Sequence, residues 1–325
     1  MKERNISVDI LKFMAVLLIT NSHMELLYGK YHELATGGTI GDVLFFFCSG
    51  FTLFLKPMNG IKEFPNWYKR RINRIYPTVF AIAIYSCTFF HTERNFNEIL
   101  LYGGGWFVSC IMIYYVVIYF IGSYWKKGIY WIMGAVAVLS CIWFYCSERP
   151  FPWNMYGIEG GYLKWLLYFI FMLLGAKLGE KQEKSIGKSA LHMLAAVCGI
   201  IGFYAFYIIG RKNENLEWIQ VYNFIPLIFA IYYLYRWGNS PIAHKIYNNK
   251  VARFIIRFVG GLCLEIYLVQ GSLFTNKLNN LFPLNLIIVF CEIVVVAYLV
   301  RCLARFISQT FKDEPYNWGK IVAAY

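Results

Sequence analysis

Acidic residues are scarce in this 325-residue chain. Asp and Glu together number 18 and all charged residues make up 15%, against roughly 25% in an ordinary soluble domain. So little charge cannot solvate the surface of a soluble protein of this length. The chain also lacks a CxxC pair and any Cys/His cluster at metal-ligand spacing, so no metal site is expected. Its nine cysteines fall almost wholly inside apolar runs and read as small packing residues. The first apolar stretch has no small-x-small cleavage site near its end and carries Lys12, Asn21 and His23. It reads as a retained first membrane helix rather than a cleaved leader.

What is abundant is apolar and aromatic. Hydrophobic residues are 59% and aromatic ones 20%. They gather in runs of about 17–25 residues, each long enough to cross a bilayer core of roughly 30 Å as a helix. A helix closes its own backbone hydrogen bonds, as a segment in lipid must. The reading is an all-α, polytopic transmembrane bundle of about ten helices, near 7–27, 39–56, 74–91, 105–122, 128–146, 162–179, 190–209, 217–235, 254–272 and 284–304. It forms a single domain, 1–325, with a core over about 6–305 and a short tail over about 306–325. Breakers mark the connections, among them Gly37-Gly38, Gly103-Gly104-Gly105 and Asn279 to Pro283. No internal repeat or low-complexity tract stands out.

The net charge of +13 could suggest nucleic acid, but its distribution argues for a membrane and against nucleic acid as a partner. Placing the N-terminus in the cytoplasm puts 23 of the 31 Lys and Arg residues on the inner side and 7 outside, with Lys12 in the first helix. That asymmetry follows the positive-inside rule and puts both termini inside.

Ionisable groups within a span are costly and therefore candidates for function. The first helix holds Asp9, Lys12 and His23. Eleven residues separate Lys12 from His23, nearly three helical turns, so both project from one face about 16 Å apart along the axis. Two readings stand for each. Lys12 either snorkels to the inner surface or serves a ligand. Asp9 is either a helix-entry carboxylate beside Lys12 or part of a site. His23 is either a buried imidazole bonded to a neighbouring helix or a general base. Glu265 and Glu292 in the late helices could pair with Lys12, orient His23 or face water. His32, His91, His192 and His244 read as solvated surface residues.

The connection after the second helix runs Trp67-Tyr68-Lys69-Arg70-Arg71-Ile72-Asn73-Arg74-Ile75-Tyr76-Pro77. Arg71 and Arg74 are three apart, with Lys69 and Arg70 beside them. Guanidinium forks suit phosphate oxygens. The segment is either an anchor to anionic lipid headgroups or a clamp for a phosphorylated cytosolic donor.

Four segments together resemble membrane-bound acyltransferase family 3, the group that includes many bacterial polysaccharide O-acetyltransferases. They are Val8 to Phe13 followed by His23, Gly41 to Phe51, Arg71 to Pro77, and Gly260 to Gln270. The resemblance runs from about residue 6 to 305. The sequence departs from the pattern in two places. Lys12 stands where the family usually has Arg, which keeps the charge and loses the fork. Gln270 stands where the late helix usually ends in His, and an amide cannot act as a base.

The resemblance implies acyl transfer from cytosolic acyl-CoA, most often acetyl-CoA, to a hydroxyl of a surface polysaccharide, a lipid-linked glycan or another envelope acceptor. It implies a multi-pass protein of the bacterial inner membrane, in contact with membrane lipid and with envelope-assembly proteins as further partners. The catalytic candidates are His23, Lys12 and Asp9, with His23 as base. The donor-binding candidates are Arg71, Arg74, Arg70 and Lys69. Lys12, Ser49 and Tyr267 are candidate donors to the oxyanion. The competing reading is a transporter or flippase for an envelope glycan precursor. The absence of paired Gly/Pro-broken helices in an inverted repeat weighs against it.

Overall fold

The computed structural model describes residues 5–93, 95–157, 159–181 and 189–325. Lys2, Arg4, Arg94, Lys184 and Lys188, which enter the charge count above, lie outside the described residues. Among the described residues the chain is all-helical, with no strand. Six helices are long and apolar enough to cross a membrane: Ile6–His23, Gly105–Tyr124, Lys126–Cys146, Ser189–Lys212, Glu214–Gly238 and Leu284–Thr310. A pair bent by 102°, Glu25–Leu34 with Gly38–Leu53, passes the same test together and makes a seventh if it is one broken span rather than a re-entrant loop. The other expected spans are also helical, but they carry more charge or are shorter. Leu163–Lys181 holds Lys164, Lys177, Glu180 and Lys181. The expected 254–272 span is two short helices, Lys250–Gly261 and Cys263–Val269, separated at Leu262.

Two further boundaries differ from the sequence reading. The first helix ends at His23, not at 27, because the chain turns at Met24 before the short Glu25–Tyr28 helix. The basic segment Trp67 to Pro77 is not a connection. It is the first half of a 27-residue helix, Phe64–Phe90, which has a proline in its first turn and Pro77 inside it. Pro65 supplies a helix-start signal, since its missing N–H costs nothing in the first turn.

The chain divides into two compact units. The first consists of Met1–Lys12, Asp42–Pro57 and Ile121–Phe254. Within it the Gly38–Leu53 helix and the Leu163–Lys181 helix meet closely. Gly50 lies against the backbone of Met172, Gly175 against that of Phe47, and Gly179 against that of Phe51. A Cβ at any of the three would fall inside van der Waals contact with a carbonyl oxygen. Small residues four apart let helices meet backbone to backbone, which matters where lipid supplies no hydrophobic drive. Gly175→Leu is therefore expected to lose folded protein by size-exclusion in detergent. Gly134→Ala, where an added Cβ meets open space, should elute as the parent does.

The second unit consists of Phe13–Gly41, Met58–Phe120 and Ile255–Tyr325. Its core joins three helices through Ala81, Ile82, Val269, Val300 and Ala304. These come from Phe64–Phe90, Cys263–Val269 and Leu284–Thr310. At the other end of the Phe64–Phe90 helix, Trp67 and Phe64 pack on Tyr119 at ring distances of 4.9 and 5.2 Å. The Tyr119 hydroxyl donates to the Gly60 carbonyl at 2.7 Å, which pins the loop that leads into the helix.

Candidate functional site

The second unit contains a cavity of about 550 Å³. His23 lines it from the end of the first helix. Ile82, Ser86 and Phe90 form a second wall, at positions four apart on one face of the Phe64–Phe90 helix. Tyr267, Gln270 and Gly271 form a third, from the Cys263–Val269 helix and the turn after it. The Tyr102-Gly103-Gly104-Gly105 turn closes a fourth. Gly105 adopts φ +62°, a left-handed backbone that favours glycine, and the space beside it faces the Tyr267 hydroxyl.

His23 is not the buried imidazole that one sequence reading allowed. Its side chain is exposed and lines the cavity, and it has no hydrogen-bond partner among the described residues. The turn beyond it is held firmly. Asn21 Nδ2 donates to the carbonyls of Leu34 and Thr36, each at 2.9 Å. Tyr28 donates its hydroxyl to Asn21 Oδ1 at 2.6 Å. Asn279 and Asn285 donate to the carbonyls of Leu26 and Leu27, each at 2.9 Å. The segment after His23 is thereby tied down through backbone acceptors, while the imidazole itself is left open to the cavity.

Glu265 does not orient His23. It lies buried and pairs with Arg301 at 2.5 Å, while Thr78 donates to its other oxygen at 3.1 Å. Arg301 also donates to the Gly261 carbonyl, at the break between the two short helices. This network joins the Phe64–Phe90, Cys263–Val269 and Leu284–Thr310 helices, two of which supply cavity walls. Glu292 is exposed on Leu284–Thr310. Of the other histidines, His32, His91 and His244 are exposed as expected. His192 is not: it is buried, with its ring 6.0 Å from that of Tyr233.

Asp9 and Lys12 belong to the first unit. Asp9 is buried and accepts a 2.7 Å hydrogen bond from the Tyr247 hydroxyl. Lys12 is half-buried, and the unbroken Ile6–His23 helix keeps its eleven-residue spacing from His23. Ser49 also lies in the first unit, so of the three candidate oxyanion donors the cavity includes Tyr267.

The basic segment lies on the same helix as the second wall. Arg71 is half-buried, with its guanidinium 4.7 Å from the Trp67 ring and 6.0 Å from that of Tyr115. Its Nε is buried with no hydrogen-bond partner. Lys69, Arg70 and Arg74 are exposed around it. Aromatic stacking fixes the plane of the Arg71 fork without consuming its donors.

The sequence pattern of the acyltransferase domain matches residues 5–302, nearly the whole chain. The chain belongs to acyltransferase family 3. No curated protein and no solved structure matches. This acyltransferase is therefore a multi-pass membrane enzyme, and its family membership bears on the cavity directly. Acyl transfer needs a base, a donor to the developing oxyanion and room for two substrates. The cavity lining includes an unpartnered imidazole, the phenols of Tyr102 and Tyr267, and the hydroxyls of Ser86, Thr92 and Ser272. The cavity walls that the sequence reading missed are Ser86 and the Tyr102 to Gly105 turn. The three consecutive glycines were the available signal.

Proposed function

We propose that this acyltransferase moves an acetyl group from cytosolic acetyl-CoA to a hydroxyl of an envelope glycan or its lipid-linked precursor, at the bacterial inner membrane with both termini inside. The observation that carries the reading is the unpartnered His23 imidazole in a cavity of about 550 Å³, within a chain of this family.

In this reading Arg71 and Arg74, with Arg70 and Lys69 beside them, hold the CoA phosphates at the inner face. The pantetheine arm runs into the membrane toward His23. The acceptor oxygen attacks the thioester carbonyl carbon as His23 takes its proton. Tyr267 donates to the carbonyl oxygen as negative charge builds there. The C–S bond then breaks, and the imidazolium returns the proton to the departing thiolate. The products are an ester and free CoA, with His23 neutral again. Asp9, bonded to Tyr247, positions the cytoplasmic end of the first helix and takes no proton in this scheme.

Arg71→Ala is expected to raise the KM for acetyl-CoA by about tenfold or more, since a charge-assisted hydrogen bond contributes about 1.5–3 kcal/mol. It should change kcat much less, and Arg71→Lys should restore only part of the loss because it lacks the fork. The check is steady-state kinetics on reconstituted protein with acetyl-CoA varied. An unchanged donor KM would remove Arg71 from the donor site.

A further inference from the structure

Gln270 is a buried polar side chain in the cavity to which the reaction scheme gives no role. It is 3% exposed and lines the same cavity as His23. Its Oε1 is buried with no hydrogen-bond partner, and among the described residues its Nε2 has none either. A buried acceptor left unpaired costs about 1–3 kcal/mol, and a ligand in the cavity is one group that would complete it. The adjacent space is open as well: a Cβ added at Gly271, another residue lining the cavity, would meet nothing within 4 Å.

An amide offers an acceptor and donors side by side. A hydroxyl is the small group that answers both at once. Charged ligands fit poorly: the described lining holds no Lys, Arg, Asp or Glu, while Ser86 and Ser272 add further hydroxyls. An acceptor with one hydroxyl needs only His23, whereas the second polar site in the same cavity has a use when the acceptor carries a neighbouring hydroxyl.

We infer that Gln270 is a specificity-determining residue that holds a second hydroxyl of the acceptor, so that the enzyme selects a vicinal diol over a simple alcohol. This rests on the assignment of His23 as the base. Acyl transfer itself proceeds as above: the O–H of one hydroxyl loses its proton to His23 and forms the ester bond. The other hydroxyl stays intact on the Gln270 amide. Losing that contact forfeits one hydrogen bond and leaves the amide unsatisfied, worth about 3–10-fold or more in selectivity.

The test is a competition in detergent-solubilised full-length enzyme. Acetyl-CoA is supplied with equal concentrations of ethane-1,2-diol and ethanol, both small enough to enter any part of the cavity, and the two acetate esters are quantified by mass spectrometry. The parent should favour the diol well beyond its two-to-one statistical advantage. Gln270→Leu should lower that ratio by about 3–10-fold, and Gln270→Glu, which keeps an acceptor oxygen at the same reach, should recover much of it. Because both esters come from one sample, the ratio does not depend on the fraction folded. A parent that esterifies both alcohols statistically, or neither while still hydrolysing acetyl-CoA, overturns the inference. So does a Gln270→Leu variant with the parent's ratio, or one whose KM for acetyl-CoA rises more than that for the diol. His23→Ala run alongside separates the two ideas. If it still forms esters, the base assignment fails. If it forms none and the ratio in Gln270→Leu is unmoved, only the role of Gln270 fails.

Discussion

His23→Ala should reduce acetyl transfer by about 10²–10⁴-fold, the usual contribution of a positioned general base, while the variant inserts and elutes as the parent does. The expectation of intact folding has a structural basis. The imidazole makes no hydrogen bond to the described protein and is exposed on the cavity, so its removal leaves no buried group unpaired. The turn after it is held by Asn21, Asn279 and Asn285 instead. Transfer should also fall on the acid side of the pH profile, as the imidazole becomes protonated and can no longer accept the hydroxyl proton. Near-parental activity of His23→Ala in proteoliposomes would remove the base from the mechanism.

The second large effect concerns stability. Arg301→Met is expected to cost about 3–5 kcal/mol, because it leaves Glu265 as an uncompensated charge in a buried place. Glu265 loses its 2.5 Å partner and keeps only the hydrogen bond from Thr78. The double variant Glu265→Gln with Arg301→Met should recover much of that loss, since removing both charges removes the desolvation problem too. Thermal unfolding of the purified variants measures this, and a double variant no better than Arg301→Met would show that the pair acts through something other than charge compensation. Activity should fall further than stability alone explains, because Arg301 also bonds the Gly261 carbonyl next to the helix break. That break sets where Tyr267 and Gln270 enter the cavity.

Much of this arrangement was legible in the sequence, for reasons that can be stated. Long apolar runs announce helices because lipid leaves the backbone no other solution. His23 stood out because an ionisable group at that depth is expensive, and the Arg71 and Arg74 pair because their spacing and geometry suit phosphate. The failures have physical causes as well. The basic run hides the start of the Phe64–Phe90 helix, since charge suggests a connection although Pro65 is a start signal. The break at Leu262 follows Gly260-Gly261 and is bridged by Arg301, which donates to the Gly261 carbonyl 40 residues before it in the chain. The Glu265 partner, 36 residues away, could not be chosen from among the available cations. The Gly175 and Gly179 spacing is visible in the sequence, but its meaning depends on which helix faces it.

The Phe64–Phe90 helix is unbroken between Arg71 and Ile82. Eleven residues separate these positions, so they share a face and stand about 16 Å apart. Under the proposed scheme this interval, which includes Pro77, behaves as a ruler: a donor held at the Arg71 end and spent at the Ile82 end has to span it. Acetyl thioesters that lack the nucleotide would reach the cavity with nothing at the gripping end. Inserting one alanine between Arg74 and Ile82 would turn the far segment by about 100°, leaving both ends intact and the measure between them wrong.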